Sequence, residues 1–230
     1  MKKQPVTLML LMVGGVVWSM PRGVGSAEPS EADARADIRL PKPDTSGGMT
    51  LTAALSKRRS QRSFANKPVS LEQISQLCWA AQGITESKRG LRTAPSAMTK
   101  FSIGVFVVDD KAVCEYLPKQ HVLRPLQSGN MLARLRESSK RPGAMGTAPV
   151  CMVLTMEVDR LKPRAGAKAE RYCLMESGHV AQNVLLQATA IGLASVPVGG
   201  IDEGKVAAAL DLPKHLRPVY VLPLGYASDK

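Results

Sequence analysis

Residues 171–191, RYCLMESGHVAQNVLLQATAI, constrain this chain more than any other segment. Leu174, Ala181, Val184, Leu185, Ala188 and Ile191 recur at helical spacing, so the segment is a long amphipathic helix with one apolar stripe. Gly192 stops it. Two runs rich in β-branched residues and bounded by turns, FSIGVFVV (101–108) and APVCMVLTMEV (148–158), read as buried strands. A long helix and buried strands in one chain already point to a mixed architecture.

Shorter elements fill in the order. Leu51, Ala54 and Leu55 start a helix near Thr50. Residues 70–82 form a second helix, with Ser70 and Gln73 spaced as a capping box and Gly83 as its stop. Residues 130–138 are helical, with Met131, Leu132 and Leu135 on one face. A short helix over 203–210 is capped by Asp202, and a last strand covers 219–224. The class is α+β, without internal repeats. At 230 residues and 44% hydrophobic content, one domain with a real core is the expectation.

The N-terminal residues read as an address. Lys2 and Lys3 precede an apolar run to Met20, and Gly25, Ser26 and Ala27 follow, the pattern of a signal peptide spanning 1–27. The alternative is an uncleaved anchor, although Gly14, Gly15 and Ser19 interrupt the run. Cleavage would give an exported protein, periplasmic or secreted, with no membrane segment in its mature form. Residues 28–49 carry charge and proline without periodicity and read as an extended arm, leaving 50–230 as the folded domain. The formal charge is +12, and losing Lys2, Lys3 and Arg22 leaves +9, so basicity belongs to the mature chain and favours anionic partners. Aromatics are only 4% and do not interleave with the basic residues, which argues against nucleic acid. Cys78, Cys114, Cys151 and Cys173 match no disulfide framework and read as buried thiols. No metal-ligand spacing is present.

Two motifs carry chemistry. KRRSQRSF (57–64) gathers basic residues at the end of the first helix; if helical geometry persists, Arg58 and Arg62 share a face with Ser60 beside them, a phosphate clamp. Equally, these charges could simply meet a helix C-terminus. VPVGG (196–200) has adjacent glycines after a strand-like run, so a flat ring could approach main-chain N–H groups there, though an ordinary turn has the same spelling. Gly178 inside the long helix costs about 1 kcal/mol relative to alanine, which implies a close approach, either of a cofactor or, by preference, of another helix. His179 reads as a structural histidine rather than a catalyst.

RRSQRSF resembles the opening motif of the nitroreductase superfamily of FMN-dependent oxidoreductases. RTAPSAMTKFSIGVFVV is similar to the RRTxPSAGALYP segment of the subgroup around SagB-type azoline dehydrogenases, and 171–200 follows that subgroup's ExGHxxQNxxLQAxxxGL pattern. The resemblance covers about 50–226. It implies a nitroreductase-like fold, a central mainly antiparallel sheet flanked by helices, with FMN at the interface of a homodimer. It further implies that Arg58, Arg59, Ser60 and Arg62 hold the flavin phosphate and ribityl chain, that Pro95, Ser96 and Ala97 line the flavin of the partner subunit, and that Val198, Gly199 and Gly200 pass along the ring. The reaction implied is hydride transfer between flavin and NADH, NADPH or a small organic substrate, with no catalytic side chain assigned. Departures matter too. Met98 and Ser102 replace the family's glycine and proline, KPRAGAK (162–168) lacks the Lys-Tyr pair tied to azoline oxidation, and the chain ends at GYASDK without the later basic residues. Azoline dehydrogenation is therefore an alternative, as are an exported flavin-binding protein without turnover and a basic protein that binds acidic polymers.

Overall fold

The computed structural model describes residues 36–138, 143 and 145–228. The expected signal peptide, 1–27, lies outside the described residues, and no helix among them is long and apolar enough to cross a membrane. The order of elements is β1 (Ile38–Arg39), α1 (Leu51–Lys57), α2 (Leu71–Gln82), β2 (Ile84–Glu86), β3 (Leu91–Arg92), β4 (Ile103–Val108), β5 (Ala112–Leu117), β6 (Val122–Ser128), α3 (Met131–Glu137), β7 (Val150–Met156), α4 (Val158–Ala165), α5 (Ala169–Ala190), β8 (Ala194–Ser195), α6 (Glu203–Ala209) and β9 (Arg217–Gly225). Seven strands form one sheet in the order β1-β6-β5-β4-β7-β9-β8, and every ladder in it is antiparallel.

The uniformly apolar sequence of β7 follows from its place in that sheet. It lies between β4 and β9, and all seven of its residues are buried. Side chains alternate across a strand. Met152 and Leu154 accordingly join Cys78 and Leu77 of α2 and Val180 and Val184 of α5, while Cys151 and Val153 join Leu132 and Leu135 of α3 and Val206 of α6. Helices thus cover both faces, each buried leucine or valine being worth about 1.5–3 kcal/mol.

Local chemistry sets the helix ends as the sequence implies. Ser70 accepts from the Gln73 N–H, and Gln73 reaches back to the Ser70 N–H at 3.0 Å, closing the capping box. Gly83 stops α2 for a steric reason: a Cβ there would stand 2.2 Å from the Trp79 ring. Asn130 and Asp202 cap α3 and α6. Gly192, at φ +77°, ends α5. The four cysteines are buried, and none forms a disulfide.

Two expectations change, and one hairpin is new. Order begins before Thr50: β1 pairs with β6, and Leu40 is buried, its N–H donating to the His121 carbonyl at 3.2 Å. The hairpin β5–β6 has no counterpart in the sequence reading, because Glu115, Arg124 and Gln127 break its apolar alternation. The stripe of α5 does not include Leu174, which with Met175 is 48% exposed.

Candidate functional site

Helix α1 stops too soon for the shared face expected of Arg58 and Arg62. Arg58 is its C-cap, with ψ at 122°, and the chain beyond it runs extended. Tertiary pairing wins over helix propagation here. Ser60 makes a parallel bridge with Ser195 of β8, the Gln61 N–H donates to the Ser195 carbonyl at 3.1 Å, and the Ala65 N–H donates to Tyr226 at 2.9 Å. Phe64, 4% exposed, anchors the segment against Ala148 and Ala194. Gly146, at φ +51°, leaves room for it, since a Cβ there would stand 2.2 Å from the Arg62 carbonyl oxygen. Thr147 Oγ1 donates to the Phe64 carbonyl at 2.7 Å.

The basic side chains divide their work. Arg59 folds back, donating to the Ser56 and Arg58 carbonyls at 2.8 Å, so it serves the helix end. Arg58 is half-buried and Arg62 exposed, and neither meets an acceptor among the described residues. Ser60 is exposed beside them.

The same Ser195 leads into 198–200. Val198 exchanges both main-chain hydrogen bonds with Val221, at 2.9 and 3.0 Å. Gly199 and Gly200 then emerge at the surface, their N–H groups without acceptors among the described residues. Added methyl groups would meet the Tyr220 ring at Gly199, 3.1 Å away, and open space at Gly200. The structure therefore joins 58–62 to 198–200 through β8.

Residues 95–97 sit elsewhere, on α5. Ser96 Oγ donates to Glu176 Oε2 at 2.7 Å and accepts from the Phe101 N–H at 2.7 Å; Ser102 Oγ donates to the same carboxylate oxygen at 3.0 Å. Gln82 Nε2 reaches Glu176 Oε1 at 3.4 Å, and Arg92 donates to Gln82 at 3.2 Å. Glu176 is only 2% exposed, so this network fixes the loop from inside. Met98, where the resembling family has glycine, adopts φ +53°, and Thr99 and Phe101 also take positive φ. The loop keeps the backbone that glycine would favour, at the cost of strain.

Beside the loop, the exposed side of α5 offers Met175 and His179, which with Pro95, Ala97 and Tyr172 line a hollow of about 290 Å³. Two expectations fail on this face. Gly178 has nothing within 4 Å of where its Cβ would be, so no helix among the described residues packs there. His179 is exposed with no hydrogen-bond partner among the described residues, and is not a satisfied structural histidine. The buried Gln82–Glu176 link escaped the sequence reading; its signal was a carboxylate spaced to the inner side of the long helix.

An antiparallel sheet clad by helices on both faces, with a basic segment and an exposed diglycine joined at one edge, defines a protein of the α+β class. The nitroreductase family model matches residues 55–226, and the chain belongs to that family. It is 30% identical over 195 residues to MJ1384, a candidate nitroreductase of Methanocaldococcus jannaschii, covering 82% of this chain and 96% of that protein. Among solved structures, a candidate nitroreductase of Ralstonia eutropha JMP134 superposes with a TM-score of 0.77 at 28% identity, covering 86% of this chain and 92% of that one. The E. coli microcin synthetase McbBCD complex shares the fold at a TM-score of 0.67 and 22% identity, covering 90% of this chain and 85% of that one.

Proposed function

We propose that this enzyme is an FMN-dependent oxidoreductase working as a homodimer, with each flavin held by 58–62 and 198–200 of one subunit and covered by 95–97 of the other. The observation that carries this reading is the split just described: two of the three segments meet at β8, while the third faces outward on α5 beside exposed Leu174 and Met175. A second copy would bury those side chains and approach closely over Gly178. The donor set fits the cofactor. Arg58, Arg62 and the Ser60 hydroxyl are available for a phosphate dianion, and the free N–H groups of Gly199 and Gly200 suit a ring on which negative charge develops. When bound, FMN supplies the hydride chemistry, from NADH or NADPH to a small organic substrate or the reverse. The protein's part is to hold the phosphate, present main-chain donors to the ring and exclude water with the partner's loop. With the 1–27 segment removed, the enzyme would act as an exported protein.

The test is affinity. Each charge-assisted contact is worth about 1.5–3 kcal/mol, so Arg58→Ala and Arg62→Ala should each weaken FMN binding roughly ten- to a hundredfold at fixed salt, and leave riboflavin nearly unaffected. Unchanged FMN affinity in both variants refutes the phosphate clamp. Bleaching of the bound flavin by NADH or NADPH separates an enzyme from a flavin carrier, and a flavin-loaded monomer refutes the shared site.

A further inference from the structure

At the β1 edge, the far side of the sheet from β8, a cavity of about 1260 Å³ opens between the end of α2, β3 and the β5–β6 turn. Its walls combine apolar and cationic groups in a way the flavin reading does not use. Trp79, Phe101 and Tyr116 supply aromatic surface; Arg39, Lys42, Arg92 and Lys119 supply charge. The one carboxylate in the wall, Asp37, is already paired with Arg124 at 3.3 Å. Among the described residues of the wall, four cationic side chains stand against one carboxylate.

Arg92 is the one of the four that is not fully exposed, and burial leaves part of its guanidinium without a partner among the described residues. One of its five N–H donors meets Gln82 Oε1 at 3.2 Å, its guanidinium lies 4.4 Å from the centre of the Phe101 ring, and its Nε–H is buried with no acceptor among the described residues. Burial lowers its pKa, against the pull of Glu176, so its charge is held at a cost that a bound anion would relieve. Arg92 also lines a second hollow of about 290 Å³, whose wall shares Phe101, Tyr116 and Lys119 with the first. The guanidinium therefore stands where two adjoining spaces meet.

We propose that this cavity binds an organic acid with an aromatic or aliphatic body, its carboxylate on Arg92 and its apolar part against Trp79 and Phe101. A guanidinium fork matches a carboxylate bidentately, and the surrounding lysines raise the local concentration of anions. The space exceeds what a simple inorganic anion needs and suits a ligand of substrate size.

Phenylacetate is the probe, phenylacetamide its uncharged control. The full-length protein as isolated is titrated with each by calorimetry, while Trp79 emission and flavin absorption are followed in parallel. Saturable binding of phenylacetate but not of phenylacetamide is expected, with Trp79 emission changing at the same midpoint and that change lost in Trp79→Phe. Arg92→Gln should weaken binding roughly ten- to a hundredfold, and Arg92→Lys, which keeps the charge and the fold but loses the fork, by less. Absence of saturable heat to about 20 mM acid, where a millimolar site would be full, overturns the proposal. So does equal binding of the amide, or wild-type affinity in a folded Arg92→Lys and Arg92→Gln pair. Heat that tracks a flavin absorption shift while Trp79 emission stays flat puts the acid over the flavin and also refutes the site.

Discussion

Replacing Glu176 by alanine tests whether the 95–101 loop is held from within. The carboxylate accepts from Ser96 at 2.7 Å and Ser102 at 3.0 Å, and more weakly from Gln82 at 3.4 Å. Charge-assisted bonds of this kind are worth about 1.5–3 kcal/mol each, and their loss leaves buried donors unpaired. Discounting the long Gln82 contact, Glu176→Ala should cost about 3–5 kcal/mol, in line with breaking a buried charged network. For a domain of this size that is a fall in Tm of roughly 6–20 °C. Glu176→Gln keeps an acceptor oxygen and should cost about half as much. Thermal melts of both variants measure the global effect, and hydrogen exchange at the Phe101 N–H measures the local one, because that N–H is held by Ser96 Oγ. A Glu176→Ala protein destabilised by less than about 1 kcal/mol, with Phe101 protection unchanged, would refute the reasoning.

Gly146→Ala should combine the strain of φ +51° with a clash against the Arg62 carbonyl, destabilising the protein by about 2 kcal/mol or more and displacing 60–64; melting and FMN retention check it together. Burial lowers the pKa of His121, whose ring contacts Ser75, Tyr116 and the Pro41 carbonyl. The unfolded state then binds the proton first, so stability falls as pH drops through 6.5, seen as lost exchange protection at the Leu40 N–H; a flat profile between neutral pH and 5 contradicts this. Burial pushes the Cys151 thiol up to about 12, so stability should decline as pH rises from 9.0 toward that value, and native protein should react with a thiol reagent only on unfolding.

Elements whose residues answer to one another locally were legible in the sequence. Ser70 and Gln73 cap α2 as spaced, and the runs around Val105 and Val153 are the buried strands they resemble. What eluded reading depended on distant partners. The spacing of Arg58 and Arg62 implied one helical face, but Ser195, far along the chain, draws the backbone out of helical geometry at Ser60. Gly178 implied close packing, yet nothing among the described residues stands within 4 Å of where its Cβ would be. Hairpin β5–β6, an edge-side pair exposed on part of its surface, lacks the apolar alternation that marks a half-buried strand.

The bridge between Ser60 and Ser195 also has a meaning in time. The strands β4, β5 and β6 are joined by short turns and can pair as soon as they are made, whereas Ser60 must wait for a partner 135 positions later. At about 5–20 residues per second of synthesis, that interval is roughly 7–27 s. Phe64 waits longer still, until Ala227 has been added. The basic segment is thus among the first parts of the domain to be synthesised and among the last to be fastened, and during that interval its arginines are open to any polyanion the nascent chain meets.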